Sequence, residues 1–197
     1  MNKKAGTAVA VGFVLLLSAS SSFAAQQVTK SAGGTIKTEL GYGIVLNKES
    51  SLTREWITIH DDSLPVDIVG TTGVSTSYQD RNYQYVAEYS IKTKEDISAI
   101  EIRFLIFDIW GNHVTNLSAT DIEDTKAEVT KTTSSKWNEY SENRVSEYYA
   151  SIAYISQVRT ADGRVIKANP ETVLIEARKF SEKFSKSDLE PKPEKEK

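Results

Sequence analysis

The chain has 197 residues, with 24 Lys+Arg against 27 Asp+Glu, two histidines and no cysteine. The missing cysteine excludes a disulfide framework, a thiol nucleophile and Cys-based zinc sites. The mild acidity gives no electrostatic reason to bind nucleic acid or anionic lipid.

Residues 1–24 read as a cleaved secretory signal peptide. Lys3 and Lys4 make a positive start, Ala8 to Leu17 is uncharged and mostly apolar, and Ser22-Phe23-Ala24 places small residues where a signal peptidase reads. The apolar run is well short of the ~20 residues of a membrane-spanning helix. Cleavage removes two lysines and leaves a net charge of −5. A lipid anchor after the signal would need a cysteine. The expected product is soluble, has no membrane insertion, and is periplasmic or secreted from a bacterium.

Residues 25–34 are small and polar and predict a flexible leader. Thr35 to Leu46 and Arg54 to His60 are strand-like. In the second of these, Trp56, Thr58 and His60 share one face and Ile57 and Ile59 the other. Asp61-Asp62-Ser63 predicts a turn, followed by an extended Pro65 to Val69. Arg81 to Ile91 alternates, with Tyr83, Tyr85, Ala87, Tyr89 and Ile91 on one face, the period of a half-buried strand.

Ile97 to Trp110 is the strongest segment. Ile100, Ile102, Phe104 and Ile106 form one face. The other begins with Glu101 and Arg103 but continues with Leu105, Phe107 and Ile109. A strand that becomes apolar on both faces belongs in the middle of a sheet. Trp110-Gly111-Asn112-His113 predicts a turn, and Ala127 to Thr133 and Tyr148 to Arg159 predict further strands. Asp162-Gly163 before Val165-Ile166 predicts a hairpin with a type I′ turn.

The period then changes. Asn169 is a good cap, Pro170 suits the first helical position, and Val173, Leu174, Ala177, Phe180 and Phe184 recur at helical spacing. A helix is predicted over 170–184, covering an open edge or end of its own sheet. The charged tail 185–197 is expected to be disordered. Seven or eight strands and then one helix predict a mainly β fold over 35–184: a β-sandwich with a C-terminal amphipathic helix, or alternatively a small β-barrel.

At Phe104-Leu105-Ile106-Phe107-Asp108 the chain resembles the FxLYD-type domain of bacterial envelope proteins. Ile106 stands for Leu, Phe107 for Tyr, and Ile109-Trp110-Gly111 matches the turn that follows. The resemblance covers residues 80–168. It implies an immunoglobulin-like sandwich outside the membrane and brings no catalytic motif.

Residues able to carry chemistry are few. His60-Asp61-Asp62 joins a base to two carboxylates, and His113 with Asp108 could complete a metal or general-base site. Against this, Asp and Ser favour turns for backbone reasons, and metal sites need three or four ligands. Tyr83 and Tyr85 on a strand face, and Trp110 and His113 at a loop tip, are ligand-binding candidates if exposed. Aromatic residues in strands more often pack.

No nucleophile elbow, phosphate loop, dinucleotide fingerprint or His-Glu-x-x-His pattern occurs, and no cofactor or metal is implied. The expectation is a non-enzymatic binding or interaction module of the bacterial cell envelope, its partner a protein or small ligand. The alternatives are a small-ligand carrier with an aromatic pocket, and a hydrolase using two of Asp62, Glu88 and Asp108.

Overall fold

A computed structural model describes residues 26–36, 52–79 and 82–190. The expected signal peptide and most of the strand expected at 35–46 lie outside the described residues. Among the described residues ten strands form: β1 (Gln26–Thr35), β2 (Thr53–Asp61), β3 (Val66–Ile68), β4 (Val74–Gln79), β5 (Asn82–Thr93), β6 (Ile97–Asp108), β7 (His113–Asp121), β8 (Thr130–Glu139), β9 (Tyr148–Thr160) and β10 (Val165–Lys167). Helix α1 (Glu142–Ser146) precedes β9, and α2 (Glu171–Phe180) follows β10, with a 3-10 turn at Lys186–Leu189.

Six strands make one sheet in the order β1-β2-β9-β6-β7, with β10 alongside β9. The second sheet has β5 in the middle, β8 on one side and β3 and β4 on the other. Among the described residues neither sheet closes on itself, so the barrel alternative does not form. Among the described residues all strand pairings are antiparallel except β2 with β9.

The two sheets share an apolar core. Ile100, Ile102, Phe104 and Ile106 of β6 meet Tyr85, Ala87, Tyr89 and Ile91 of β5, all buried. Tyr148 at the start of β9 is fully buried there, edge-on to Tyr85, and its hydroxyl donates to the Val74 carbonyl at 2.8 Å. Burial pushes that hydroxyl up to about 12, and burial followed by the nearby Glu139 charge raises Tyr85 as well.

The opposite face of the larger sheet is also apolar. Ile57, Ile59, Leu105, Phe107, Ala150 and Ile152 form a second buried cluster with Val173, Ala177, Phe184 and Leu189. Helix α2 and the segment after it therefore cover a sheet face, not an edge. Asn169 accepts from the Glu171 amide at 3.1 Å, and regular helix ends at Phe180, before the expected 184. Residues 185–190 of the expected tail pack on the sheet, with Leu189 buried and Asn116 of β7 donating to the Asp188 carbonyl at 2.6 Å; residues 191–197 lie outside the described residues. Leu189 in the apolar cluster, with the Asn116 bond and one from Arg103 to the Leu189 carbonyl at 2.6 Å, holds a segment whose composition looks unable to bury anything.

The leader also differs from expectation. Residues 26–35 pair with β2 as an edge strand. Their small size has a structural use: a Cβ on Gly33 would lie 2.2 Å from Trp56 Nε1, and one on Gly73 would lie 2.1 Å from Trp56 Cγ. The indole is clasped between two glycine backbones, and its Nε1 donates to the Val74 carbonyl at 3.1 Å. The β9–β10 hairpin forms, but not through a type I′ turn. Only Gly163 has positive φ (92°), and Gly163 N donates to the Thr160 carbonyl while Thr160 N donates to that of Arg164. This is a three-residue loop with glycine in the left-handed position.

Phe107 joins β6 to Phe180 and Phe184, with ring centroids 5.5 and 5.7 Å away. Phe107→Ala is expected to cost about 3–5 kcal/mol in urea unfolding, the price of a large buried ring removed from a site that cannot collapse. An alkaline limit is also expected. Above pH 10 the unfolded chain ionises its tyrosines, whereas the folded chain keeps Tyr148 protonated to about 12. Stability should fall across that interval, and fall less steeply in Tyr148→Phe, as read from urea midpoints against pH.

Candidate functional site

Strand register defines two ends. Phe107 pairs with Ala150, which aligns with Glu55 of β2, while Tyr83 pairs with both Glu139 and Tyr78. The end of β6 and the starts of β2, β5 and β9 therefore lie together. His60 and Lys92, near the ends of β2 and β5, lie at the opposite end.

The first end is aromatic. The Asp108 carboxylate accepts from Trp110 N at 2.9 Å, Asn112 N at 2.8 Å and Asn112 Nδ2 at 3.0 Å, and Gly111 supplies the positive φ that closes the β6–β7 turn. This fixed turn lifts Trp110 into solvent, where it is 70% exposed. Its Nε1 donates to Glu147 Oε2 at 3.1 Å, which fixes the ring's orientation. Tyr140, 89% exposed, projects from the β8–α1 connection, and Tyr78 and Ile109 add exposed apolar surface.

A buried cation braces this end from behind. The Arg54 guanidinium donates to the carbonyls of Tyr148 at 3.1 Å and Val145 at 3.4 Å, and sits 4.9 Å from the Tyr148 ring centroid. Tyr85 donates to the Arg144 carbonyl at 2.9 Å. The loops that carry Trp110 and Tyr140 thus rest on a rigid base.

The second end holds a cleft of about 570 Å3. The polar face of β2 leads into it. Trp56 is clasped by glycines, Thr58 exchanges hydrogen bonds with Thr72, and His60, next along that face, lines the cleft. His60 Nδ1 lies 3.0 Å from Asp67 Oδ1, and Nε2 lies 3.0 Å from Thr29 Oγ1. Lys94 pairs with Asp62 at 3.7 Å and Lys92 with Glu128 at 3.1 Å across the same opening.

The sequence candidates are thereby separated. His60 takes its carboxylate from Asp67 on the other sheet, not from its neighbour Asp61, which accepts from Gln26 Nε2 at 2.6 Å and Ser63 N at 3.0 Å. Asp108 is committed to its turn. His113 belongs to the other side of the sheet, packed on Phe107 and Phe184 with Nε2 2.7 Å from Asn116 Oδ1. Tyr83 and Tyr85 are buried in the core, not displayed. Of the three acids considered for hydrolysis, only Asp62 lines the cleft; Glu88 points outward from β5. Among the described residues no three His, Cys, Asp or Glu side chains are placed to hold a metal ion.

Sequence reasoning missed Thr29 and Asp67. Thr29 sits in a segment too polar to read as a strand. Asp67, between Val66 and Ile68, carries a period-2 signal, but nothing local aims it at His60.

The exposure of Trp110 is testable. Trp56 and Trp137 are half-buried, with indole N–H groups bonded to the carbonyls of Val74 and Ser118. Trp110→Phe is expected to shift tryptophan emission to shorter wavelength and to remove most of the fluorescence quenched by acrylamide.

No family model and no curated protein sequence matches the chain. It is similar to a solved structure, a 1.85 Å X-ray structure of a hypothetical protein from Peptoclostridium difficile 630. That chain is 11% identical, with a TM-score of 0.44, over 66% of this chain and 98% of the other.

Proposed function

We propose that the chain is an exported binding module of the bacterial cell envelope, an immunoglobulin-like sandwich that recognises a protein partner through its aromatic end. The observation that carries this reading is Trp110, 70% exposed on a turn held by Asp108 and Glu147. A large aromatic residue fixed in solvent loses little conformational entropy on binding and offers a large contact area. Tyr140, Tyr78 and Ile109 are also exposed at this end. Recognition of this kind uses contact alone and needs no chemistry.

The finer fold reading draws on topology. β5 pairs with β8 in one sheet and β6 with β9 in the other, so the chain crosses between sheets from β5 to β6 and again from β8 to β9. Interlocked pairs of this type suit an immunoglobulin-like sandwich, and such domains carry function on loops clustered at one end. The FxLYD-like run is the end of β6, directly before the Trp110 turn. The signal-like residues 1–24 support export.

The test is a photo-crosslinking residue placed at position 110 in the producing bacterium, with position 88 on the outer face of β5 as control. A discrete adduct from position 110 alone is expected, and Trp110→Ala should weaken binding to the identified partner about tenfold or more. No adduct, or the same pattern from both positions, overturns the reading.

A further inference from the structure

At the end of the fold away from Trp110, Thr29, His60 and Asp67 form one hydrogen-bonded chain from three strands and both sheets. The chemistry of its members gives the chain a direction. An ionised carboxylate can only accept, so His60 Nδ1–H donates to Asp67 Oδ1. The neutral ring then has its lone pair on Nε2, and the group facing that lone pair at 3.0 Å is the Thr29 hydroxyl. Nucleophile, base and orienting acid thus stand in sequence, with both links inside the 2.6–3.2 Å reach that proton transfer requires.

The surroundings suit a reacting group. Thr29 and His60 both line the cleft of about 570 Å3, a size that holds a small molecule. The His60 side chain is only 12% exposed, which shields the base from bulk water. Lys92 and Lys94 line the same opening, each paired with a carboxylate, Glu128 and Asp62. The recognition of such a constellation rests on geometry and roles, not on order in the chain.

We propose that this cleft is an acyl-transfer site for small carboxylic esters, with Thr29 as nucleophile and His60 as general base. The Thr29 oxygen forms a bond to the ester carbonyl carbon as its proton passes to His60 Nε2. The bond from that carbon to the alcohol oxygen breaks, and the departing alcohol takes the proton from Nε2. A water molecule then attacks the acyl-threonine, giving one proton to His60. Nε2 returns it to the Thr29 oxygen as the carboxylic acid leaves. Asp67 is a positioning residue: it holds the ring and its tautomer and stabilises the imidazolium. The site is independent of the aromatic end, and either can fail without the other.

The experiment uses the mature chain and an alkyl fluorophosphonate. In this probe the Thr29 oxygen bonds to phosphorus, fluoride leaves, and the hydroxyl proton passes through His60 to solvent. One adduct by intact mass, mapped to Thr29, is the expected result. Thr29→Val should abolish it and Thr29→Ser should keep it. His60→Gln should slow labelling by about a hundredfold or more. Asp67→Asn should slow it about tenfold or more, and Asp67→Glu should restore part of the rate, which a merely structural contact would not do. Thermal melts verify that each variant is folded. The unaltered chain alone decides the first point: no adduct, or an adduct on another residue, overturns the proposal. An unchanged labelling rate in folded His60→Gln overturns it equally.

Discussion

Strands β6 and β9 are buried on both faces, and that condition organises the rest of the molecule. A strand inside a sheet satisfies its backbone groups laterally, but its side chains leave the sheet above and below and need apolar cover in both directions. The smaller sheet supplies one cover through β5, and α2 with the segment to Leu189 supplies the other. Each cover is one-sided. β5 alternates between buried and exposed residues along its length, and α2 buries Val173 and Ala177 while Ile175 faces solvent. The protein is thus three layers deep at its centre, and its cysteine-free chain is held by two apolar interfaces in place of disulfides.

Where the apolar cover stops, polar groups are paired with care. Glu101 and Arg103 occupy the start of β6 on the same face as Leu105 and Phe107, outside the buried cluster that α2 completes. Glu101 accepts from Arg103 at 2.7 Å, Ser118 at 2.9 Å and Gln157 at 2.5 Å, and Arg103 also donates to the Leu189 carbonyl at 2.6 Å. Burial alone would raise the Glu101 carboxyl, but the hydrogen bonds and the Arg103 charge outweigh it and hold the group below the usual range. Glu176 on α2 follows the same logic: desolvation opposes its charge, and Lys179 and Lys30 restore it. Lys30 belongs to β1, so this contact also ties the helix to the edge strand.

The two ends of the fold differ because the two faces of β2 differ. Ile57 and Ile59 face α2, whereas Trp56, Thr58 and His60 face the β3–β4 connection, where a polar interior gives way to a cleft. At the other end the same sheets are closed by Arg54, Tyr148 and Tyr85, leaving the aromatic residues of the loops outside. One end therefore presents a rigid aromatic surface and the other a concave polar one.

The sequence alone determined whatever depends on period and local chemistry. The alternation of Tyr83 to Ile91 gave β5 and its buried face, the double-sided run from Leu105 to Phe107 placed β6 inside a sheet, and Asp162-Gly163 marked a hairpin. Only the tertiary structure decided the rest, since it arises from residues distant in the chain. Gln26–Thr35 becomes a strand because Gly33 fits against Trp56, and Leu189 is ordered because it seals one edge of the β6–β9 face. Tyr85 is buried and Trp110 exposed because one packs in the core between the two sheets and the other lies past the end of β6. His60 stood out by its rarity and by the acids beside it, yet the carboxylate it meets is on another strand, and the hydroxyl it faces is 31 residues earlier. Period is written along the chain and can be read there; a hydrogen-bonded constellation is assembled by strand order and register, which no local pattern records.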